Sequence, residues 1–259
     1  MPMHVYLIGF ALGAVVGSFL NVCIHRLPRS ESVVRPGSHC PACGGPIAPY
    51  DNVPILSYLL LRGRCRACQA RISPRYFLIE LANGVGYSVI LWRFGFGWPA
   101  AVYAVLFSAL LVITVIDLDH QIIPDAITLP GIGLGVLCAA TVLPVSLADS
   151  IFGGLVGGGI LWVLAWASPY LFGKEGMGGG DIKLLAMIGV FLGWKPALLT
   201  VMVGALVGSV VGIGLIACRV LRRDQYLPFG PFLAIGAVVS LFFHQDVFTW
   251  YRGLLVGAP

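Results

Sequence analysis

Two aspartates stand out because each lies at the end of an apolar segment. Asp117 ends a long apolar run, and Asp181 opens another directly after the glycine-rich residues 176–180. An ionisable group at membrane depth is costly and is by default a candidate functional residue. Two carboxylates at hydrogen-bonding distance cannot both ionise easily, so they hold one shared proton. Such a pair could hydrolyse a peptide bond, because its ionised member takes a proton from water while its protonated member polarises the scissile carbonyl.

Each of these acidic residues also has a simpler interpretation. Taken singly, Asp181 could cap the helix that follows it, and Asp117 could be a solvated helix end. Asp125 follows Pro124, which favours a helix-capping role. Lys183 is expected to be an interfacial cation. The two aspartates predicted at one membrane face, with glycines that let a substrate backbone approach, favour the catalytic interpretation.

Four cysteines form a second candidate site, in the sequences Cys40-Pro-Ala-Cys43 and Cys65-Arg-Ala-Cys68, with 21 residues between them. This is the spacing of a zinc ribbon, in which four thiolates satisfy tetrahedral zinc. A disulfide pairing is the alternative, but a reducing compartment favours metal binding. His39 could substitute as a ligand. A closed thiolate shell leaves no open coordination position, so we expect a structural metal.

The composition shows which elements must position these residues. Hydrophobic residues make up 58% of the 259 residues and charged residues 10%, and the mean hydropathy is +0.93. A water-soluble fold is thereby excluded. Segments of roughly 20 apolar residues recur, which predicts an all-α polytopic membrane protein with about eight transmembrane helices and a small zinc-ribbon-like domain. The predicted spans are 4–24, 76–93, 99–118, 126–144, 150–172, 182–194, 197–218 and 229–245.

The basic residues set the orientation. Eight of the sixteen Lys and Arg residues lie between the first two spans, which places this loop on the cytoplasmic side. Eight spans then put thirteen basic residues inside and three outside. The first span could instead be a signal peptide, but no basic region precedes it. The net charge of +5 is thus explained by the topology and by attraction of the basic loop to an anionic lipid bilayer. We therefore expect no nucleic-acid partner.

Four motifs, in order along residues 10–235, resemble the bacterial type 4 prepilin peptidases of the GxGD aspartic protease group. They are Gly17-Ser18-Phe19-Leu20-Asn21 through His25-Arg26-Leu27-Pro28, the paired CxxC loop, Asp117 through Pro124-Asp125, and Lys174-Glu175-Gly176-Met177-Gly178-Gly179-Gly180-Asp181-Ile182-Lys183-Leu184-Leu185. GxGD alone is a weak string, and its combination with the other features is specific.

This resemblance implies a bifunctional enzyme of the bacterial inner membrane. Such enzymes cut the leader from prepilins or pseudopilins after a glycine at the cytoplasmic face, then methylate the new amino terminus with S-adenosylmethionine. The catalytic aspartates of the family carry over to Asp117 and Asp181. Its cysteine loop is associated with methyl transfer, so both activities are expected. The implied domains are a first helix (1–24), a cysteine loop (25–75) and a membrane protease domain (76–259).

The residues of the methyl-donor site are harder to predict from the sequence. No Rossmann-type glycine fingerprint occurs in the loop, so a conventional nucleotide-binding fold is not expected. A carboxylate near the sulfonium could position the amine while a shaped backbone holds the methyl donor. Glu80, early in the second span, and Asn52 and Gly63 in the loop are therefore candidates. Glu80 could instead pair with Arg75 or Arg71.

Other patterns leave alternatives open. Paired aspartates beside glycine breaks also suit a membrane transporter with a broken-helix site, and the zinc-type loop would suit a scaffold protein. Glycines recur every four residues at Gly153 and Gly157 and again at 204, 208 and 212, which favours helix packing within the bundle over a dimer interface. Phe229-Gly230, between two prolines, is predicted to turn the chain into the last span.

Overall fold

The computed structural model describes residues 1–172, 178–220 and 227–256. Within these ranges the regular structure is helical, which confirms the predicted all-α class. The motif residues Lys174, Glu175, Gly176 and Met177 lie outside the described residues, as do Arg222 and Arg223. The helices are α1 (Met3–Arg26), α2 (Leu56–Leu60), α3 (Pro74–Phe94), α4 (Trp98–His120), α5 (Asp125–Thr141), α6 (Leu147–Phe172), α7 (Gly179–Leu192), α8 (Trp194–Ala217) and α9 (Gly230–Val256), with short 3-10 turns at Leu27–Arg29 and Pro49–Asn52.

Each of the eight predicted spans coincides with one helix, and of the described helices only the five-residue α2 lies outside them. Five apolar segments of the described chain are long and apolar enough to cross a membrane, and they correspond to α1, α4, α6, α8 and α9. Helix α5 is apolar but shorter. The chain is therefore a multi-pass membrane protein, while the number of eight crossings stays a prediction.

The chain divides into two compact units, Met1–Val115 and Ile116–Pro259. In the first unit, α1 packs against α3. The buried Asn83 amide joins the helices, because its Nδ2 donates to the Gly13 carbonyl at 2.7 Å and its Oδ1 accepts from Ser108 Oγ at 2.9 Å. Ser108 Oγ also lies 3.1 Å from the Tyr87 hydroxyl. Polar groups satisfied in this way can be buried at little net cost.

The loop that follows α1 is tied down by a buried arginine. Arg26, 6% exposed, donates to the carbonyl oxygens of Ser32 at 2.9 Å and Pro36 at 2.8 Å. Its guanidinium thus satisfies backbone acceptors of a segment without regular structure. The sequence motif that ends α1 therefore organises the start of the loop.

In the second unit, α7 lies at the centre. It packs against α5, α6, α8 and α9, and Leu184, Leu185 and Ile188 on it are fully buried. Because α7 is surrounded by other helices, the position of its first turn, which carries Asp181, is set from several sides.

Glycines allow these helices to approach closely. A Cβ on Gly153 would lie 2.7 Å from the Gly193 carbonyl carbon, and one on Gly157 would lie 2.7 Å from the Leu185 carbonyl oxygen. A Cβ on Gly204 would lie 3.0 Å from the Phe232 carbonyl oxygen. The four-residue glycine spacing therefore serves contacts within the chain, α6 on α7 and α8 on α9.

Candidate active site and metal centre

Asp117 is held by a backbone donor far away in sequence. It lies in the last turn of α4, is 5% exposed, and its Oδ2 accepts a hydrogen bond from the Gly230 N–H at 3.0 Å. A Cβ on Gly230 would lie 2.6 Å from that oxygen. Only glycine at the start of α9 therefore lets the backbone approach the carboxylate this closely.

Asp181 is the third residue of α7, and the cap of this helix is Gly178. Its backbone N–H donates to the Gly178 carbonyl at 3.2 Å, and the Gly178 N–H is the backbone donor to its carboxylate. The Asp181 Oδ1 atom is buried and has no hydrogen-bond partner within the described part of the chain. A buried oxygen without a hydrogen bond lowers the stability of the fold by about 1–3 kcal/mol. Such a loss of stability is tolerated at catalytic residues.

The structure brings the two aspartates together. They lie in the same compact unit although 64 positions separate them in sequence. Gly180, which precedes Asp181, and Gly230, which donates to Asp117, both pack against the Ile123 side chain. Each carboxylate has one backbone donor, the Gly230 N–H for Asp117 and the Gly178 N–H for Asp181, but Asp181 also has a buried oxygen with no partner among the described residues. The pair can therefore share a proton unequally, as acid and base chemistry on one bond requires.

Ile123 lies beside the pair, in the link between α4 and α5. A Cβ on Gly180 would lie 2.9 Å from Ile123 Cβ, and one on Gly230 would lie 3.3 Å from Ile123 Cδ1. Gly180 precedes Asp181, and Gly230 donates to Asp117. The isoleucine side chain thus contacts a glycine next to each aspartate.

Lys183 forms an ion pair with Asp125. Its Nζ lies 2.7 Å from Oδ1 and 2.8 Å from Oδ2. The predicted capping role of Asp125 is wrong, because Pro124 is the cap of α5 and Asp125 is its first residue. An acidic residue there still suits the positive end of the helix dipole, and its carboxylate is used to join α5 to α7.

The four cysteines also converge. Their sulfur atoms all lie within 4.8 Å of one another, and Cys40 Sγ lies 3.8 Å from Cys68 Sγ. Zinc–sulfur bonds of about 2.3 Å in a tetrahedron place the sulfurs ~3.8 Å apart. The cluster can therefore hold one metal ion, and its dimensions fit zinc.

The two CxxC segments have the same backbone geometry. The Cys40 N–H donates to Gly45 O at 2.9 Å, and the Cys65 N–H donates to Ala70 O at 2.9 Å. Five residues separate donor from acceptor in each, so the knuckles are equivalent. N–H groups of Cys43 and Ala42 point at the Cys40 sulfur and lower the pKa of this thiol to about 6. At Cys68 the Ala70 N–H, which lowers the thiol pKa, is outweighed by burial and the neighbouring thiols, which raise that pKa to about 11. Thiolate is the form that binds metal.

The three candidate methyl-donor residues lie in different settings. Asn52 is exposed and ends a 3-10 turn. Gly63 is buried with φ +66°, and a Cβ there would lie 2.9 Å from the Tyr58 hydroxyl oxygen. The local backbone and the Tyr58 side chain thus account for glycine at this position.

Glu80 has the most distinctive environment of the three. It is 8% exposed, and its Oε2 accepts from the Ile55 N–H at 2.8 Å. Ile55 has φ 64° and ψ −54°, and Leu56 N donates to Pro54 O at 2.6 Å. This is a classic γ-turn, a rare and strained conformation, here at a β-branched residue. Strain of this kind clusters at functional sites.

Sequence reasoning missed two residues of the acid site. Gly230 was predicted only to turn the chain, and Ile123 not at all. For Gly230 the available signal was a glycine between two prolines next to an apolar span. For Ile123 no local signal exists, because its contacts come from segments 57 and 107 positions away.

Fold and site together define a multi-pass helical membrane protein with a pair of aspartates and a four-cysteine cluster. Comparisons with known proteins narrow this class. Residues 11–94 match the bacterial peptidase A24 N-terminal domain, and residues 104–213 match the type IV leader peptidase family. The comparison with solved structures found no match.

Full-length relatives are similar to the whole chain. Proteins named prepilin leader peptidase/N-methyltransferase from Pseudomonas aeruginosa and Stutzerimonas stutzeri are each 38% identical over 96% of this chain and 94% of their own length. The Aeromonas hydrophila protein of that name is 38% identical over 97% of this chain and 95% of its own length. The chain therefore belongs to the type IV leader peptidase family, and the predicted resemblance is confirmed.

Proposed function

We propose that this protein is a membrane aspartic endopeptidase that removes the leader of type 4 prepilins or pseudopilins after a glycine and then N-methylates the new amino terminus. Relatives that align with this chain over nearly their whole length are named for both activities. The observation that supports it most directly is that Gly180, next to Asp181, and Gly230, which donates to Asp117, pack against the same Ile123 side chain in one unit. No finding supports the transporter alternative.

The surroundings of the two carboxylates support a division of labour. The N–H of Gly230 donates to Asp117 and stabilises negative charge there. Asp181 Oδ1 is buried without a donor among the described residues, which favours the protonated form. Asp117 then takes the proton from the attacking water, and Asp181 donates to the carbonyl oxygen of the scissile bond. Neither side chain needs to leave its helix for this.

The Asp181→Asn variant tests the peptidase assignment. We expect it to cleave a prepilin-like peptide in detergent about 10²- to 10⁴-fold more slowly than the parent protein. It should still methylate a peptide that was supplied already cleaved, which shows that the variant is folded. Cleavage at the parental rate would refute the assignment.

We further propose that the four cysteines hold structural zinc and that methyl transfer belongs to the loop of residues 25–75, completed by Glu80 from α3, at the start of the protease domain of residues 76–259. S-adenosylmethionine, when bound, supplies an electrophilic methyl group. Glu80 is suited to orient the amine and take its proton, because its carboxylate is buried and fixed by Ile55. Asn52 and Gly63 stay candidates for the donor site.

Glu80→Gln tests this role. Glutamine keeps an oxygen that can accept from the Ile55 N–H, so the γ-turn should persist while the base is lost. Methylation of a cleaved peptide should fall by about 10²-fold or more, and cleavage should be unchanged. A variant that methylates at the parental rate would exclude Glu80.

For localisation, we propose eight crossings of the inner membrane, with both sites facing the cytoplasm and the basic residues distributed accordingly. Reporter fusions at residues 95–97, which follow α3, and at 142–146, which follow α5, should report the periplasm. A cytoplasmic signal at both places would invert the topology.

A further inference from the structure

The Ile123 side chain packs against two glycines, each of which is next to or bonded to one of the two aspartates. A Cβ on Gly180 would lie 2.9 Å from Ile123 Cβ, and one on Gly230 would lie 3.3 Å from its Cδ1. Gly180 is adjacent to Asp181, and Gly230 is bonded to Asp117. The branched side chain therefore fills space that both glycines leave beside the carboxylates.

This side chain is also hard to displace. The Gln121 N–H donates to the Asp117 carbonyl at 2.9 Å on one side of it. On the other side, Asp125 is paired with Lys183 at 2.7 Å. A β-branched residue has few χ1 rotamers available. The backbone on both sides of Ile123 is thus anchored, and the side chain itself has little rotational freedom.

We propose that Ile123 determines the specificity for glycine before the scissile bond, by occupying the volume that a larger side chain at this substrate position would need. The inference rests on the proposed peptidase function. A peptide bond reaching both carboxylates must pass next to Ile123, since the isoleucine contacts the glycine beside each of them. A substrate glycine has no side chain to meet it, whereas an alanine methyl would collide with it.

Three variants and two peptides test this. The peptides carry glycine or alanine before the scissile bond, and the readout is the ratio of their kcat/KM values. Ile123→Ala should reduce the preference for glycine by about 10- to 200-fold, because a difference of one methyl group between substrates changes kcat/KM by about that factor. Ile123→Val should reduce it less. Ile122→Ala is the matched control, because Ile122 is 45% exposed and should leave the preference unchanged.

The outcomes separate the inference from the function on which it rests. If the parent cleaves the glycine peptide and both Ile123 variants keep its preference, the inference is overturned and the peptidase function stands. If both variants lose cleavage of the glycine peptide while Ile122→Ala keeps it, Ile123 is a structural residue and the inference is again wrong. If the parent cleaves neither peptide, the proposed function itself fails.

Discussion

Lys183 Nζ lies 2.7 Å and 2.8 Å from the two carboxylate oxygens of Asp125, and this ion pair joins the start of α5 to the fifth residue of α7. Asp181 lies two residues earlier in the same helix. A contact that lies beside the acid pair without touching Asp117 can therefore still govern where Asp181 is placed.

Removing one charge of this pair should slow cleavage more than it destabilises the protein. The Lys183 and Asp125 side chains are 39% and 54% exposed, so the pair contributes only about 0–1 kcal/mol to stability. We expect Lys183→Met to lower kcat about 10-fold, with little change in KM or in melting temperature. The double variant Asp125→Lys with Lys183→Asp should recover part of the loss. A parental kcat in Lys183→Met would show that the pair has no positioning role.

A methyl group on Gly230 should disrupt the acid pair. Its Cβ would lie 2.6 Å from Asp117 Oδ2, so Gly230→Ala must displace the carboxylate or the backbone that supports it. Because displacements of about 1 Å can cost 10²-fold in rate, we expect a loss of that size in peptide cleavage. Gly214→Ala is the control, since nothing lies within 4 Å of a Cβ at that position. Equal rates for the two variants would contradict the proposed role of Gly230.

The cysteine cluster should bind one zinc ion per chain. Metal analysis of the purified protein measures this directly. In the Cys40→Ser, Cys43→Ser double variant, two of four thiolates are lost, and we expect neither bound zinc nor methyl transfer. Peptide cleavage should persist, because Asp117 and Asp181 belong to the other compact unit. Methyl transfer at the parental rate would refute the role of the zinc module.

Bulk at Gly153 should destabilise the second unit. A Cβ there would lie 2.7 Å from the Gly193 carbonyl carbon and 2.8 Å from Trp194 N, and backbone atoms cannot move aside as a side chain can. We expect Gly153→Leu to cost at least ~1–3 kcal/mol and to melt several degrees lower in detergent. Gly159→Leu should melt like the parent, since a Cβ at Gly159 has open space.

The sequence predicted the elements well because membrane helices follow local composition. Uninterrupted apolar length specifies a span, and a charge within it is conspicuous, so Asp117 and Asp181 could be identified as a candidate pair from their positions alone. The CxxC spacing likewise predicts a four-sulfur cluster, because each CxxC pair folds locally into a knuckle.

What the sequence did not predict are contacts between distant segments. The Gly230 donor reaches Asp117 across 113 positions, and helix packing alone decides which backbone N–H arrives there. Glu80 was a candidate from its charge, but its partner, the N–H of the strained Ile55, depends on a turn with positive φ that isoleucine rarely adopts. Asp125 was misjudged because capping preferences are local statistics, and the lysine that it binds comes from another helix.

Helix α7 has 14 residues and extends ~21 Å, whereas the hydrocarbon layer is ~30 Å thick. Its far end lies beside Trp194 and Lys195, residue types that anchor at lipid headgroups. If that end is anchored at the opposite headgroups, as the proposed topology requires, Asp181 lies below the level that a full crossing would reach. The proposed function then predicts that a substrate anchored by its own apolar helix is cut at that depth without being drawn out into water.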